Sequence, residues 1–244
     1  LRHIVVREVE GNFIVTAVTA TDSLPYADKL IAILGKKFKS FSLWQNVNSG
    51  EGNGVFGSVF RLLYGKGKYS AYECGIRFEV GPNTFIQINR SVCRKLYERI
   101  VRFATESGAE VVIDAYSGGG LLTAMLAKQV GKAYGIELVS EASACADALI
   151  APNKLEGKMF NKCGKVEEVL PELLRKVDPE KTFLTVDPPR KGVDRGTLKA
   201  IAASGIHQIA MVSCNPSTLA RDVGLLTGAL VETEGGELKK NPDY

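Results

Sequence analysis

The sequence predicts an α/β protein with a mostly parallel, doubly wound sheet, preceded by a smaller antiparallel α+β domain. From residue 84 onward, short apolar runs alternate with segments of helical periodicity, which is typical of a parallel sheet covered by helices on both faces. Before residue 84, two runs rich in Val, Ile and Thr, 3–9 and 13–19, form a hairpin pattern, and short strand-like runs separated by glycine-rich turns follow, which favours antiparallel strands. We therefore predict two domains, 1–83 and 84–244.

In the first domain the sequence predicts a hairpin, one helix and several further strands. Glu10-Gly11-Asn12 separates the two hairpin strands and is a turn-forming sequence. In the helix, apolar residues recur every three or four positions. The predicted elements are strands 3–9 and 13–19, helix 24–38, and strands 41–47, 54–64 and 70–80.

In the second domain strands and helices alternate to the end of the chain. Each predicted strand is a short apolar run, and each predicted helix carries its apolar residues on one face. The predicted order is helix 90–105, strand 111–114, helix 120–130, strand 133–136, helix 139–150, strand 158–161, helix 166–175, strand 182–186, helix 194–203, strand 207–212, helix 217–227 and a last strand near 229–238.

The composition excludes several classes of protein. With 45% hydrophobic and 24% charged residues, the chain is too apolar to be disordered. No apolar run approaches the ~20 residues that a membrane helix needs. The chain begins at Leu1 without a signal-peptide pattern, so we expect a cytoplasmic protein, cut from a longer one, with no membrane partner. The net charge of +4 permits a nucleic-acid partner without requiring one.

The cysteines and histidines indicate neither a disulfide framework nor a metal site. The five cysteines are odd in number and never spaced as C-x-x-C, and the two histidines, His3 and His207, are far apart in the sequence. We therefore expect free thiols and no metal.

A glycine-rich turn follows the strand at 111–114 and opens a helix. Gly118, Gly119 and Gly120 would let the backbone approach a ligand closely. Thr123 stands where a dinucleotide fingerprint needs its third glycine, which excludes that fingerprint and leaves a nucleoside cofactor without a pyrophosphate, such as S-adenosylmethionine. Glu137 ends the next strand, where it could accept hydrogen bonds from a ribose. An ordinary tight turn with a surface glutamate would show the same pattern.

A proline-stiffened loop, Asp187-Pro188-Pro189-Arg190-Lys191, follows the strand at 182–186. Open α/β sheets bind ligands at the carboxyl ends of their strands. Asp187 could accept a hydrogen bond from a planar N–H group, and Arg190 and Lys191 could contact phosphate. A strand ended by two prolines, with its charges solvated, is the alternative interpretation.

Cys214 follows the next strand, 207–212, and precedes the helix at 217–227. The carboxyl ends of parallel strands share one edge, so we expect Cys214 near Asp187 and the glycine turn. A sulfur at a strand end beside a helix start can act as a nucleophilic thiolate, although a free cysteine is commonly only a small buried apolar residue. The other cysteines lack this setting and are interpreted as structural: Cys74, Cys93, Cys145 and Cys163.

Taken together, these stretches make the chain similar to the S-adenosylmethionine-dependent RNA (uracil-5-)-methyltransferases. The matching segments, in the family's order, are 85–89, 114–120, 135–137, 187–192 and 213–222, within a match over 84–227. The resemblance implies a Rossmann-like class I methyltransferase domain and an RNA-facing domain at 1–83. It also implies a reaction in which a cysteine adds to C6 of uracil, so that C5 can take the methyl group.

The resemblance also assigns residues to roles. Cys214 would be the nucleophile. Asp187 would be a second catalytic residue and would lie between the cofactor and the base. The implied cofactor contacts are Gln87, Tyr116, Gly118, Gly120, Leu121, Glu137 and Asp187, and the implied substrate contacts are Phe85, Arg190 and Asn215.

The chain departs from the family at a few positions. Ser117 stands where the family often has cysteine, and Lys165 stands where it often has an acid that could accept a hydrogen bond from an adenine amino group. The family's proton-accepting glutamate falls beyond the last residue of this chain, so we expect this piece to bind cofactor but to release product very slowly.

Other functions are less consistent with the motifs. A cytosine-5 RNA methyltransferase would carry a cysteine in the loop that begins at Asp187, and an amino-group methyltransferase would prefer asparagine there. A non-catalytic RNA-binding module that keeps the cofactor pocket stays open. We expect a monomer that acts on transfer RNA or large-subunit ribosomal RNA. Basic residues of the first domain could contact phosphate or form a solvated face: Lys36, Lys37, Lys39, Arg61, Lys66 and Lys68.

Overall fold

The computed structural model describes residues 1–52, 54–84, 89–233 and 237–242. The chain divides into two compact units, each described here by itself. The first comprises Leu1–Glu73 with Arg77–Ile86, and the second comprises Cys74–Ile76 with Gln87–Tyr244.

The first unit contains a four-stranded sheet, one helix and a separate two-stranded hairpin. The sheet order is β1-β2-β3-β4, and β5 pairs with β6. The elements are β1 (His3–Val9), β2 (Asn12–Thr19), α1 (Ala27–Lys37), β3 (Phe41–Val47), β4 (Val59–Tyr64), β5 (Tyr69–Glu73) and β6 (Ile76–Val80).

Two pairs of this sheet are antiparallel as expected, but β2 and β3 are parallel. Helix α1 connects them, and such a crossover returns the chain to the end of the sheet from which β2 started. The helix packs Leu30, Ile31 and Leu34 against the buried side chains of Val15 and Leu43. The apolar face of α1 therefore decides this pairing.

Two predicted strands of this unit were too long. The run 70–80 contains a turn, in which Cys74 and Gly75 have φ angles of 50° and 75°, so it folds as the β5–β6 hairpin. Residues before β4 form a loop, because the Asn46 and Asn48 side-chain amides donate to the carbonyls of Gly57 and Gly54. Those amides hold the loop away from the ladder.

The second unit is a five-stranded parallel sheet in the order β11-β10-β7-β8-β9. This order reverses direction between β7 and β10, which creates a crevice at the carboxyl ends of those two strands. The elements are α2 (Arg90–Glu106), β7 (Val111–Ala115), α3 (Leu121–Gln129), β8 (Lys132–Glu137), α4 (Ser140–Asp147), α5 (Ile150–Asn153), β9 (Met159–Cys163), α6 (Val166–Leu174), β10 (Thr182–Val186), α7 (Arg195–Ala202), β11 (Gln208–Met211), α8 (Pro216–Leu226), β12 (Leu230–Glu232) and β13 (Leu238–Lys240).

Helices cover both faces of this sheet. On one face, Ile113 and Leu184 belong to a buried cluster with residues of α6 and α7. Side chains alternate along a strand, so Asp114 points to the opposite face, where it meets Thr123 of the almost fully buried helix α3. The predicted doubly wound α/β fold is confirmed.

The sequence predicted single elements at two places where the structure has two. The helix at 139–150 is interrupted between α4 and α5, and the last strand is an antiparallel hairpin of β12 and β13. In the described part of the chain, no helix combines the length and apolar character needed to cross a membrane.

Candidate active site

Three motif-bearing loops meet at the carboxyl edge of the parallel sheet. Ala115 at the end of β7 is in register with Val186 of β10 and with Ile136 of β8, and Val186 is in register with Met211 of β11. The ladder continues one residue further, since the Asp187 N–H donates to the Ala115 carbonyl at 3.3 Å. The glycine turn, Asp187 and the segment leading to Cys214 therefore leave the sheet at one level.

The glycine turn after β7 has one open side and one closed side. Gly118 and Gly120 have φ angles of 55° and 77°, which favour glycine. A Cβ atom on Gly120 would lie 2.5 Å from the Ala146 Cβ, whereas no atom of the described residues lies within 4 Å of the Cβ position of Gly118 or Gly119. Gly120 is therefore required for packing against α4, and the open side at Gly118 and Gly119 is free for a ligand.

Glu137 at the end of β8 is fixed against this turn. Its Oε2 accepts the Gly118 N–H at 2.9 Å, and its Oε1 accepts the Val139 N–H at 2.7 Å. A carboxylate has about four acceptor positions, so both oxygens can still accept bonds from a ligand. The side chain thus links the second strand of the sheet to the open turn.

Other predicted cofactor contacts lie on the same turn. Tyr116 has a φ of 66°, and burial raises the pKa of its half-buried hydroxyl to about 12. Leu121, also half-buried, is the first residue of α3.

Another position considered for a cofactor contact lies on a different element. Lys165 pairs its Nζ with Glu168 Oε1 at 3.2 Å on the exposed start of α6. Phe85 and Gln87 lie outside the described residues.

A small polar cradle lies beneath the turn. Ser117 Oγ and Asn161 Oδ1 are buried and make no hydrogen bond within the described part of the chain. Both atoms lie 2.9 Å from the position that a Cβ on Gly135 would take. Glycine at position 135 of β8 therefore leaves space between Ser117 Oγ of the turn after β7 and Asn161 Oδ1 of β9.

Asp114 is a buried acid that the sequence motifs did not assign to a role. It is 2% exposed, and its Oδ2 accepts the Thr123 hydroxyl at 2.6 Å. Its pKa is raised to about 7, mainly by burial and also by the nearby carboxyls of Asp187 and Glu137, whereas the Thr123 hydrogen bond acts in the opposite direction. Burial also raises the pKa of Asp187. The edge thus gathers acidic groups, which favours a positively charged ligand.

We expect Asp114 to make folding stability depend on pH. Because its pKa is higher in the folded chain than in the unfolded one, stability should fall between about pH 4 and about pH 7 and then level off. Asp114→Asn keeps an acceptor for Thr123 but does not ionise. From about pH 5 to about pH 8 it should therefore gain stability relative to wild type, by more than about 1.4 kcal/mol, the equivalent of one pKa unit. Urea unfolding at both pH values measures this, and a constant difference would contradict it.

The loop after β10 is ordered by its own turn and by α8. The Gly192 N–H donates to the Pro189 carbonyl at 2.8 Å, and the Asn215 amide donates to the Arg190 carbonyl at 3.3 Å. Asp187 is half-buried, whereas the Arg190 side chain is exposed. The loop thus offers one sheltered acid and one solvated cation at the sheet edge.

Cys214 is an exposed free thiol three residues after β11 and two residues before α8. Asn215 caps that helix by accepting the Ser217 N–H, and Pro216 occupies its first turn. Cys145 and Cys163 are also exposed, so exposure alone does not distinguish Cys214 from them. Cys163 also lies at the carboxyl edge, where it ends β9 in register with Glu137 of β8. Cys214 differs from it in following β11, the neighbour of β10, whose end leads into Asp187.

Within the described ranges, no three His, Cys, Asp or Glu side chains are grouped so that they could hold a metal ion.

Comparison of the sequence with known proteins identifies related RNA methyltransferases. The family described as tRNA (Uracil-5-)-methyltransferase matches residues 69–231. An uncharacterised RNA methyltransferase of Clostridium tetani is 36% identical over 93% of this chain and 49% of its own length. One of Listeria monocytogenes is 36% identical over 93% of this chain and 50% of its own. The chain spans about half the length of the curated relatives it matches.

Solved structures show the same fold. The tRNA (uracil-54, C5)-methyltransferase of Pyrococcus abyssi, in complex with S-adenosyl-L-homocysteine, superposes with a TM-score of 0.75 and 24% identity over 91% of this chain and 52% of that chain. A putative S-adenosylmethionine-dependent methyltransferase of Streptococcus mutans superposes with a TM-score of 0.56 and 14% identity over 92% and 62%. The class I methyltransferase fold expected from the motifs is confirmed. With two thirds of its residues matched by the family and relatives 36% identical over almost its whole length, the chain belongs to the tRNA (uracil-5-)-methyltransferase family.

Proposed function

We propose that this chain methylates C5 of a uridine in RNA through a covalent bond between Cys214 and C6 of the base. The observation that carries the proposal is an exposed thiol at the same sheet edge as Asp187 and the open glycine turn. A pyrimidine at that edge could contact both the sulfur and a methyl donor on the turn.

S-adenosylmethionine is the cofactor, and it supplies the methyl group. The residues present fit it on three counts. The turn is open at Gly118 and Gly119, and the Glu137 carboxylate is held there by two backbone N–H groups with acceptor positions left for ribose hydroxyls. Asp114, Asp187 and Glu137 give the edge an acidic character that complements a sulfonium cation.

The first chemical step uses the sulfur of Cys214. Carbon C5 of uracil is a poor nucleophile, but bond formation between Sγ and C6 moves an electron pair onto the C5–C4–O4 system. C5 can then attack the methyl carbon of the sulfonium, whose bond to sulfur would break so that S-adenosylhomocysteine would leave. A base or solvent would take the C5 proton, and the electron pair left behind would restore the C5–C6 double bond and expel Sγ as a thiolate. The target base has to leave its stack to reach this edge.

The loop after β10 would position the base. Asp187 is sheltered enough to accept a hydrogen bond from a base N–H, and the exposed cation of Arg190 suits an RNA phosphate or a carbonyl oxygen. Asn215 holds the backbone of Arg190 and caps the helix that follows Cys214, so it couples these two segments. We therefore assign Asp187 and Arg190 to substrate contact.

The described acids that follow Cys214 are already engaged. Asp222 is buried and accepts the Val193 N–H, Glu232 pairs with Arg195, and Glu237 lies 3.5 Å from Lys239. We assign the proton-accepting step to none of them.

The decisive experiment identifies the methylated atom. The protein is incubated with methyl-labelled cofactor and with tRNA or large-subunit rRNA transcripts, and the RNA is then digested to nucleosides. Label in 5-methyluridine supports the proposal, and the transcript that carries it identifies the RNA class. Label in 5-methylcytidine or on an exocyclic nitrogen would show a different methyltransferase activity and contradict the proposal. RNA binding without incorporation of label would favour a non-catalytic module.

Glu137→Gln should weaken cofactor binding. The new amide keeps one acceptor but turns an N–H₂ group toward either the Gly118 or the Val139 N–H, so one anchoring bond and the negative charge are lost. Hydrogen bonds to charged groups contribute about 1.5–3 kcal/mol, so we expect a loss of roughly 10- to 100-fold in affinity for S-adenosylhomocysteine. Calorimetric titration measures it. Glu141→Gln, on the exposed start of α4, is the matched control. Equal affinity in both variants would remove Glu137 from the cofactor site.

A further inference from the structure

The helix that begins after Cys214 is fastened to the loop that carries Asp187 and Arg190. Besides the Asn215 contact, Arg221 Nη2 donates to the carbonyls of Lys191 and Val193, at 3.1 and 3.3 Å. Asp222 Oδ2 accepts the Val193 N–H at 2.8 Å. The N-cap Asn215 and the side chains of Arg221 and Asp222 in α8 therefore bind the backbone of the loop from Arg190 to Val193.

The Asp222 carboxylate is buried but fully compensated. It is 1% exposed, and its second oxygen accepts the Arg221 Nε–H at 2.7 Å. A buried carboxylate persists only when its charge is paired and its lone pairs are hydrogen-bonded, and both conditions hold here. Because its oxygens are engaged and shielded from solvent, Asp222 is not placed to contact a substrate.

The loop is shaped to fit this pair. Gly192 has a φ of 82°, and a Cβ atom there would lie 2.6 Å from Asp222 Oδ2 and would also overlap the Arg221 guanidinium. The backbone of the loop thus passes directly against the two charged side chains. Only glycine at position 192 allows the loop backbone to approach Arg221 and Asp222 this closely.

We propose that Arg221 and Asp222 are positioning residues, which fix the distance between the Cys214 thiol and the loop of Asp187 and Arg190. This inference rests on the proposed function, in which one base contacts both segments at the same time. Catalysis that depends on such alignment loses rate steeply when the reacting groups move by about 1 Å. The pair would therefore act on bond formation at C6, not on cofactor binding, which uses the turn after β7.

The test uses Asp222→Asn and Arg221→Lys in the same chain, with Glu172→Gln and Arg175→Lys on the exposed end of α6 as matched controls. Three properties are measured: melting temperature, affinity for S-adenosylhomocysteine, and the rate of covalent complex formation with RNA that carries 5-fluorouridine. Limited trypsin cleavage after the exposed residues Arg190 and Lys191 reports directly on loop order.

We expect both variants to fold, to bind S-adenosylhomocysteine within about twofold of wild type, and to form the covalent complex roughly 10- to 100-fold more slowly. Cleavage after Arg190 and Lys191 should accelerate in the variants and stay unchanged in the controls. In the methylation assay, the kcat of the variants should fall by a larger factor than their KM for RNA rises.

Two results would overturn the inference. If the folded variants form the complex at the wild-type rate, or if cofactor affinity falls as much as that rate, Arg221 and Asp222 do not position the reacting groups. If wild-type protein forms no complex and methylates no uracil, the proposed function itself fails. Faster trypsin cleavage in the variants would then show only that Arg221 and Asp222 stabilise the loop.

Discussion

Cys214→Ala should abolish covalent capture of RNA that contains 5-fluorouridine. In the wild-type protein the fluorine at C5 cannot leave as a proton does, so the bond between Sγ and C6 persists and the complex survives denaturation. Alanine has no atom that can form this bond. Methylation should also fall by at least about three orders of magnitude, because the barrier-lowering addition step is lost.

Denaturing gel electrophoresis with labelled RNA measures this capture. Cys145→Ala and Cys163→Ala are the matched controls, since both remove exposed thiols. Cys145 lies on α4, and Cys163 ends β9 at the same sheet edge but on the side of β8, not beside β10. They should capture RNA as the wild type does. Capture by Cys214→Ala, or loss of capture in a control, would mean that another thiol or another chemistry is used.

Gly120→Ala should destabilise the protein strongly, whereas Gly119→Ala should not. The φ of 77° at Gly120 disfavours alanine by about 1–2 kcal/mol, and the methyl group would press on Ala146 in a packed core for about 1–3 kcal/mol more. We therefore expect a loss of roughly 2–5 kcal/mol and a fall in Tm on the order of 10 °C. At Gly119, no atom in the part of the chain that the structure describes lies within 4 Å of the new methyl group.

The same pair of variants separates packing from ligand binding. A methyl group at Gly119 would project into the open side of the turn, so Gly119→Ala should keep its stability to within about 0.5 kcal/mol but weaken binding of S-adenosylhomocysteine. Thermal unfolding and titration calorimetry on both variants test this. Unchanged affinity in Gly119→Ala would place the cofactor elsewhere, and an unchanged Tm in Gly120→Ala would contradict the close packing of the turn against α4.

Local patterns were sufficient wherever an apolar run ended at a polar turn. The strands that precede Gly118, Asp187 and Cys214 are short and mostly buried or half-buried, and a glycine-, proline- or serine-containing turn follows each within two residues, so their ends were predictable. Periodicity also identified α2, α3, α7 and α8 to within a few residues. From parallel pairing alone, the three loops were expected at one edge, and the register confirms it.

Elements whose pairing depends on distant partners were predicted less well. The parallel pair β2–β3 depends on how α1 packs over Val15 and Leu43, which no local pattern encodes. The run 70–80 has the composition of one strand, and its division at Cys74 and Gly75 follows from backbone conformations that sequence periodicity does not report. The last predicted strand is likewise divided into β12 and β13, which pair in the antiparallel direction.

The sequence by itself determined the chemistry available to this protein: an apolar strand that ends at a glycine turn, an acid at the next strand end, a proline-stiffened loop and one thiol beside a helix start. Only the tertiary structure decided how these groups work together. It shows that Gly120 packs against α4 whereas Gly119 is open, that Asp114 is buried against Thr123, and that Arg221 and Asp222 hold a loop about 30 residues away in the chain. Such contacts join segments that are distant in sequence, and their energies depend on burial and distance, which exist only in the folded chain.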